Sequence, residues 1–442
     1  MNRRPVLAGL AMALGATAGC ARLTGPSRSF ESSVGDWSTF RADRGRSGGV
    51  GAPDPAVAQP TVAWRGKRPA DDRRRFSLLG SVAVVAGNGT AWAFDATSGE
   101  HLAMFDRERA VSCEVLAADG DLVAAELSAV TRIDPGTGER QWTAELGQPA
   151  TEYYEGACHE TPHRVGTPTV SDGRVVVAGA TRRHERAYAL SSLSLSDGSL
   201  VWERPLAVPY ARTAVVTPVV ADGRVFVQST TGRRVLAFDF VTGDRVWATG
   251  DRGEDPRRRQ SYRPVVAGDS VVSRTPDGDV VARALADGSE RWRRSVTAES
   301  GGRPLLAADG DRVYVAGKNA LAALDPTTGD SLWSVTESAG HWQRPAVADG
   351  AIYVARNYRS SGGPTHRNEV WAYDAATGNR RWRWVSSVKG TAGSVTVGPA
   401  GVYLPFTTDV WKHEAETTVP TPSVGVTRLV DRSVATATRT GG

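Results

Sequence analysis

The stretch from Val235 to Trp247, VLAFDFVTGDRVW, returns in degenerate form along most of this chain, and a repeat of that size constrains the fold more tightly than composition does. Its glycine recurs at Gly99, Gly138, Gly198, Gly243, Gly288, Gly329 and Gly378, spaced by 39, 60, 45, 45, 41 and 49 residues. Four residues after each stands a tryptophan, namely Trp142, Trp202, Trp247, Trp292, Trp333 and Trp382; the first copy departs with Ala103. Four residues before it is Asp95, Asp134, Asp239, Asp325 or Asp374, with Ser194 and Ala284 as exceptions.

One unit reads as Pro218-Val-Val-Ala, an Asp222-Gly223 turn, Arg224-Val-Phe-Val-Gln, a turn near Gly232, Val235-Leu-Ala-Phe-Asp, a Val241-Thr242-Gly243 turn and Arg245-Val-Trp. Alternating β-branched and small residues between glycine turns predict a four-stranded antiparallel meander. Its first two strands recur eight times, beginning near Phe76, Glu114, Pro168, Pro218, Pro264, Pro304, Pro345 and Ser394, whereas the Gly-Trp hairpin occurs seven times. The spare strand, Thr61 to Trp64, stands at the start of the chain. The expected fold is therefore all-β, an eight-bladed β-propeller of four-stranded antiparallel blades closed by an N-terminal strand, which leaves no exposed sheet edge. The six repeat tryptophans are expected to pack between blades as core.

Met1 to Cys20 has a basic start at Arg3 and Arg4, followed by a short apolar run, and reads as an export signal of the Tat or Sec type. Thr17-Ala18-Gly19-Cys20 resembles a lipobox, which would make Cys20 a lipidated first residue; Ala16-Thr17-Ala18 also fits cleavage for simple secretion. Residues 21–35 suit a flexible tether, residues 36–416 the propeller, and the Thr/Pro-rich residues 417–442 carry no recognisable unit. The 53 basic and 48 acidic residues give a net charge of +5, and the runs Arg73 to Arg75 and Arg257 to Arg259 are flanked by acids. That pattern describes solvated loops, so no nucleic-acid partner is expected.

In an antiparallel blade the first and third turns share one face. The second turn and the connection to the next blade share the other. The long insertions, Gly147 to Gly166, Thr181 to Arg186, Thr249 to Tyr262 and Asn357 to Asn368, all fall on the second face, which makes it the better place for binding. Arg263, Arg303 and Arg344, each directly before a proline, together with His341 and Trp342, are candidates for a channel-mouth binding rim on that face, either for anions or as a hydrated edge. A Cys113 to Cys158 disulfide pinning the insertion is the first expectation for an exported chain; Cys158-His159-Glu160-Thr161-Pro162-His163 also offers soft-metal donors, the lesser alternative, because no fourth ligand is visible.

The unit A-x-D-x-x-T-G-x-x-x-W with P-V-V-A-D-G-R-V-F-V before it resembles the repeat of PQQ-like, quinoprotein-type β-propellers, from about Asp36 to Phe406. The resemblance implies the fold. That group includes PQQ-dependent alcohol dehydrogenases and non-catalytic lipoproteins that scaffold outer-membrane protein assembly. The dehydrogenases carry adjacent cysteines against the quinone, which this sequence lacks, and their calcium-binding and catalytic carboxylates match no motif here. No H-E-x-x-H, G-x-S-x-G, phosphate-binding loop or C-x-x-C-H motif occurs. No catalytic residue, metal or cofactor is therefore assigned from the sequence. The expected function is a monomeric, extracytoplasmic propeller, anchored through Cys20, that binds a protein or envelope component; the alternative is a PQQ-dependent dehydrogenase using PQQ with calcium.

Overall fold

A computed structural model describes residues 57–69, 75–79, 82–86, 90–106, 111–118, 121–126, 129–134, 139–146, 165–180, 188–206, 216–229, 233–250, 262–296, 304–337, 340–348, 350–359, 366–388, 390–398, 400–408 and 423–433. These form eight antiparallel sheets, the eight blades of a β-propeller. Blades 1 to 7 take consecutive strands, blade 4 for example using Val219–Ala221, Arg224–Gln228, Val235–Asp239 and Arg245–Thr249. Each sheet buries both faces, and the apolar clusters straddle consecutive blades. One joins Val176, Leu190 and Trp202 of blade 3 to Val225, Leu236 and Phe240 of blade 4.

The repeat motif has a physical reading. In blade 4 the Asp239 carboxylate accepts from the Val241 and Thr242 amides at 2.9 and 2.7 Å, the Gly243 amide donates to the Asp239 carbonyl at 2.9 Å, and the Asp244 amide donates to Thr242 Oγ1. Gly243 sits at φ +75°, and a Cβ there would lie 2.6 Å from the Trp202 ring of the preceding blade. Conformation and space thus both demand glycine. The same tryptophan donates Nε1–H to the Phe240 carbonyl of that turn at 3.1 Å. Equivalent bonds run from Trp142 to Leu195, Trp247 to Leu285, Trp292 to Pro326 and Trp333 to Ala375. Arg174 and Arg224 reinforce the contact by reaching the carbonyls of Phe240 and Leu285 in the next blade.

A β-bulge just before each tryptophan sets its direction. In blade 4, Ala237 faces Trp247 while Phe238 faces Arg245, leaving Val246 unpaired. Val201, Val246 and Leu332 are the bulged residues of their blades, and their side chains are exposed. Those exposed apolar groups thus follow from aiming tryptophans inward.

Blade 8 is assembled from both ends of the described chain. Pro60–Pro69 pairs with Ser423–Asp431, which pairs with Gly401–Thr408 and then with Thr391–Ala392 and Thr396–Gly398. The N-terminal strand closes the ring. Ser423–Asp431 supplies the third strand of that blade, an element that the sequence pattern of residues 417–442 does not reveal, because its turn is split between two distant segments. Asp431 takes the place of the repeat aspartate: its carboxylate accepts from the Ala58 and Gln59 amides at 2.9 and 2.8 Å and from Ser433. Trp64 then docks like its counterparts, donating to the Ala96 carbonyl at 3.1 Å and lying against Gly99, whose Cβ would meet its ring at 2.5 Å. Trp382, facing this split turn, packs in a cluster with Val57 and Leu429.

Two outcomes test this account. Trp247→Ala should lower unfolding free energy by about 3 to 5 kcal/mol; a loss below about 1 kcal/mol in denaturant titration would remove the tryptophan from its docking role. The turn carboxylates also predict acid sensitivity. The Asp431 carboxyl is held well below the usual range, chiefly by the Gln59 amide and then by Ser433 and Ala58, and Asp374 is held down to about 2 by Arg381 and Thr377. Folded values below unfolded ones mean stability complete above about pH 5 and lost as the pH falls from about 4 toward the folded values. The melting-temperature gap between wild type and Asp431→Asn should therefore narrow as pH drops through that window; a gap that stays constant would contradict it.

Candidate functional site

Blade 7 departs from the repeat in the length of its middle hairpin. Its middle strands, Ala351–Arg359 and His366–Asp374, are nine residues each against five in blade 4. They stay in register up to Arg359 and His366, so the hairpin rises above the ring on the face of the second turns. An extra bridge pairs His341 with Asn357 and Trp342 with Arg356. Asn357 fastens the raised hairpin to blade 8, donating Nδ2–H to the Ala392 carbonyl at 2.9 Å and accepting from the Ala392 amide at 3.2 Å. Asn368 donates to the Gly390 carbonyl at 2.8 Å.

Within this wall lies a cluster of charge and aromatic surface. The Arg356 guanidinium is 4.7 Å from the Trp342 ring, 4.9 Å from Tyr358 and 5.6 Å from Trp371, although the residue is only 1% exposed. Its Nη1 lies 3.5 Å from the Glu337 carboxylate, which is 31% exposed. Trp371 is also approached by Arg380 at 5.0 Å and Arg383 at 5.2 Å. Trp342 stands edge-on to Trp371 and Tyr373. Such contacts between cations and aromatic faces gain strength when desolvated.

Glu369, fully buried, organises the other side. Its Oε2 accepts from Trp371 Nε1 at 2.8 Å, Tyr358 Oη at 2.9 Å and Arg383 Nε at 3.0 Å, and Oε1 accepts from Arg383 Nη2. Burial pushes its carboxyl up, but the bonds from Arg383, Trp371 and Tyr358 outweigh that and hold it below the usual value. Tyr358 is pushed up to about 12 by burial and by the same carboxylate. Glu369 is therefore ionised at neutral pH and paired with Arg383.

Of the rim residues named from sequence, those described differ in exposure. Trp342 is buried beneath Arg356, and His341 beside it is exposed. Arg344 is buried and donates Nη1–H to the Leu306 carbonyl of blade 6. Arg263 is half-buried beside the strand Val265–Ala267. Arg303 lies outside the described residues, as do Cys20, Cys158 and its neighbouring histidines, and the side chain of Cys113. Sequence reasoning missed Glu337, Arg356, Glu369 and Trp371. The available signal was the charged run flanking the long hairpin, Arg356-Asn-Tyr-Arg and His366-Arg-Asn-Glu, where the blade 4 copy has already turned.

A family model described as outer membrane protein assembly factor BamB, of the PQQ-like repeat type, matches residues 126–308 and 298–410. The chain belongs to this family. A curated relative from Burkholderia pseudomallei, named outer membrane protein assembly factor BamB, is 26% identical over 281 residues, covering 61% of this chain. The chain spans 64% of that relative's length. Among solved structures, BamB from Moraxella catarrhalis superposes with TM-score 0.57 at 17% identity, over 84% of this chain and 100% of that one. Quinohemoprotein alcohol dehydrogenase from Comamonas testosteroni gives TM-score 0.60 at 12% identity, over 89% and 80%. At these identities the structures share the fold.

The residues described do not fit PQQ with calcium. The buried carboxylates among them are Asp121 and Glu369, and each is engaged by an arginine, Arg132 and Arg383 respectively. No group of three or more His, Cys, Asp or Glu that could hold a metal ion occurs among the described residues. The three cysteines, at 20, 113 and 158, include no adjacent pair.

Replacing Glu369 with alanine should strand the Trp371 and Tyr358 donors and cost about 3 kcal/mol of stability. Glu369→Gln, which keeps an acceptor, should cost less; equal losses in calorimetry would mean the carboxylate is not the organiser.

Proposed function

We propose that this protein is an exported β-propeller that binds a protein partner at the cell envelope through the face of its second turns, held near the membrane by lipidated Cys20. The observation that carries the reading is the asymmetry between the two faces of the ring. On one, the Asp-x-x-Thr-Gly turns are used up in docking blade to blade, each filled by its neighbour's tryptophan. On the other, blade 7 raises a hairpin beyond the ring and dresses it with arginines, aromatics and an exposed histidine. Membership of a family described by outer-membrane protein assembly supports a partner that is itself a protein, and the leader through Cys20 supports export.

Such a role needs no reacting group. A rigid ring with one face committed to its own closure offers the other as a pre-formed surface, so ordering costs on binding are small. Residues 1–20 would then be the leader and 21–35 the tether, with residues 36–433 taking part in or leading into the ring.

Photo-crosslinking groups placed at His341 and Arg359, on the raised hairpin side, should capture a discrete protein in cells, whereas groups at Thr242 and Thr328 should not. Cys20→Ala should move the protein from the membrane fraction to the soluble extracytoplasmic fraction. Equal capture from both faces would sink the face assignment, and unchanged membrane association of Cys20→Ala would sink the anchor.

A further inference from the structure

Four buried donors at the blade 6 to blade 7 junction have no acceptor among the described residues: Arg356 Nε, Arg356 Nη2, Trp342 Nε1 and Tyr373 Oη. They belong to one cluster. Arg356 lies over Trp342 at 4.7 Å, and the Trp342 and Tyr373 rings are 6.2 Å apart. Buried donors in folded proteins are rarely left unserved, and a group of them in one place specifies an acceptor. Glu337 meets only Nη1, from 3.5 Å.

The charge agrees with that requirement. Arg356, Arg380 and Arg383 surround Trp371, against the carboxylates of Glu337 and Glu369, and Glu369 is already taken by Arg383, Tyr358 and Trp371. A net positive charge is left beside the unserved donors. Above Arg356 stands Gly340, half-buried at φ +95°, where a Cβ would come within 2.9 Å of Arg356 Nε. A side chain at that position would press on the guanidinium, so the close contact and the positive φ both require glycine.

We infer that Arg356, Trp342 and Tyr373 form a carboxylate-binding site on the insertion-bearing face, with Glu337 on the remaining Nη1 as a like charge beside the incoming one. A planar guanidinium edge offering Nε and Nη2 matches a carboxylate in bidentate fashion, and the two aromatic donors fix its orientation. The natural source is an acidic side chain or chain end of the protein partner; this assignment rests on the proposed function for the source only, not for the chemistry.

The test is titration of the full chain with C-terminally amidated octaglutamate, followed by calorimetry and tryptophan fluorescence. Amidated octaglutamine serves as the control, and octaglutamine with a free C-terminus separates a chain end from a side chain. Octaglutamate should bind and amidated octaglutamine should not, with affinity falling as salt rises. Arg356→Met should abolish binding. Because that variant removes a buried group, Glu337→Gln provides the independent arm: losing the neighbouring half-exposed like charge should tighten octaglutamate binding about threefold. Weaker or unchanged binding by Glu337→Gln, equal binding of amidated octaglutamine, or phosphate competing as well as the peptide would overturn the assignment. Partner capture that persists in both variants would overturn it while leaving the proposed function intact. Octaglutamate binding with no captured partner would do the reverse.

Discussion

The contact on which this ring depends is a tryptophan laid flat on a glycine of the next blade. It combines two demands that no other pair of residues meets together: a positive φ at the turn and a surface with no side chain beneath an indole. The indole N–H completes the contact by binding the carbonyl that starts the turn, as Trp202 does with Phe240 and Trp247 with Leu285. Each blade is thereby oriented by its successor, so errors in angle cannot accumulate unnoticed around a closed circle. The β-bulge before each tryptophan is the local cost, and the exposed Val201, Val246 and Leu332 are its visible trace.

The spacing of Asp, Gly and Trp made the blades legible, because those residues act within one hairpin and its immediate neighbour. The closing strand was legible too, since Trp64 ends a segment that has no partner nearby in sequence. Ser423–Asp431 was not. Its aspartate works on amides more than 370 positions away, so the local turn signature that marks every other third strand is absent.

The blade 7 cluster shows the same limit in another form. Trp342 stood out in sequence as a rim residue, yet what it does depends on being opposite Arg356 in an antiparallel ladder. Arg356 and Glu369 in turn face each other near the tip of a hairpin longer than that of blade 4, where the middle strands end after five residues. Length of a hairpin can be read from sequence; which charges its two strands bring together requires the register.

The split turn at Asp431 also fixes an orientation. The strand Pro60–Pro69 begins at the Thr-Gly turn face and runs toward the raised hairpin, so the described chain starts on the face opposite blade 7's cluster. The closing strand thereby crosses the full depth of the ring, and the split turn that locks it and the arginine-bearing wall stand on opposite sides of the same circle.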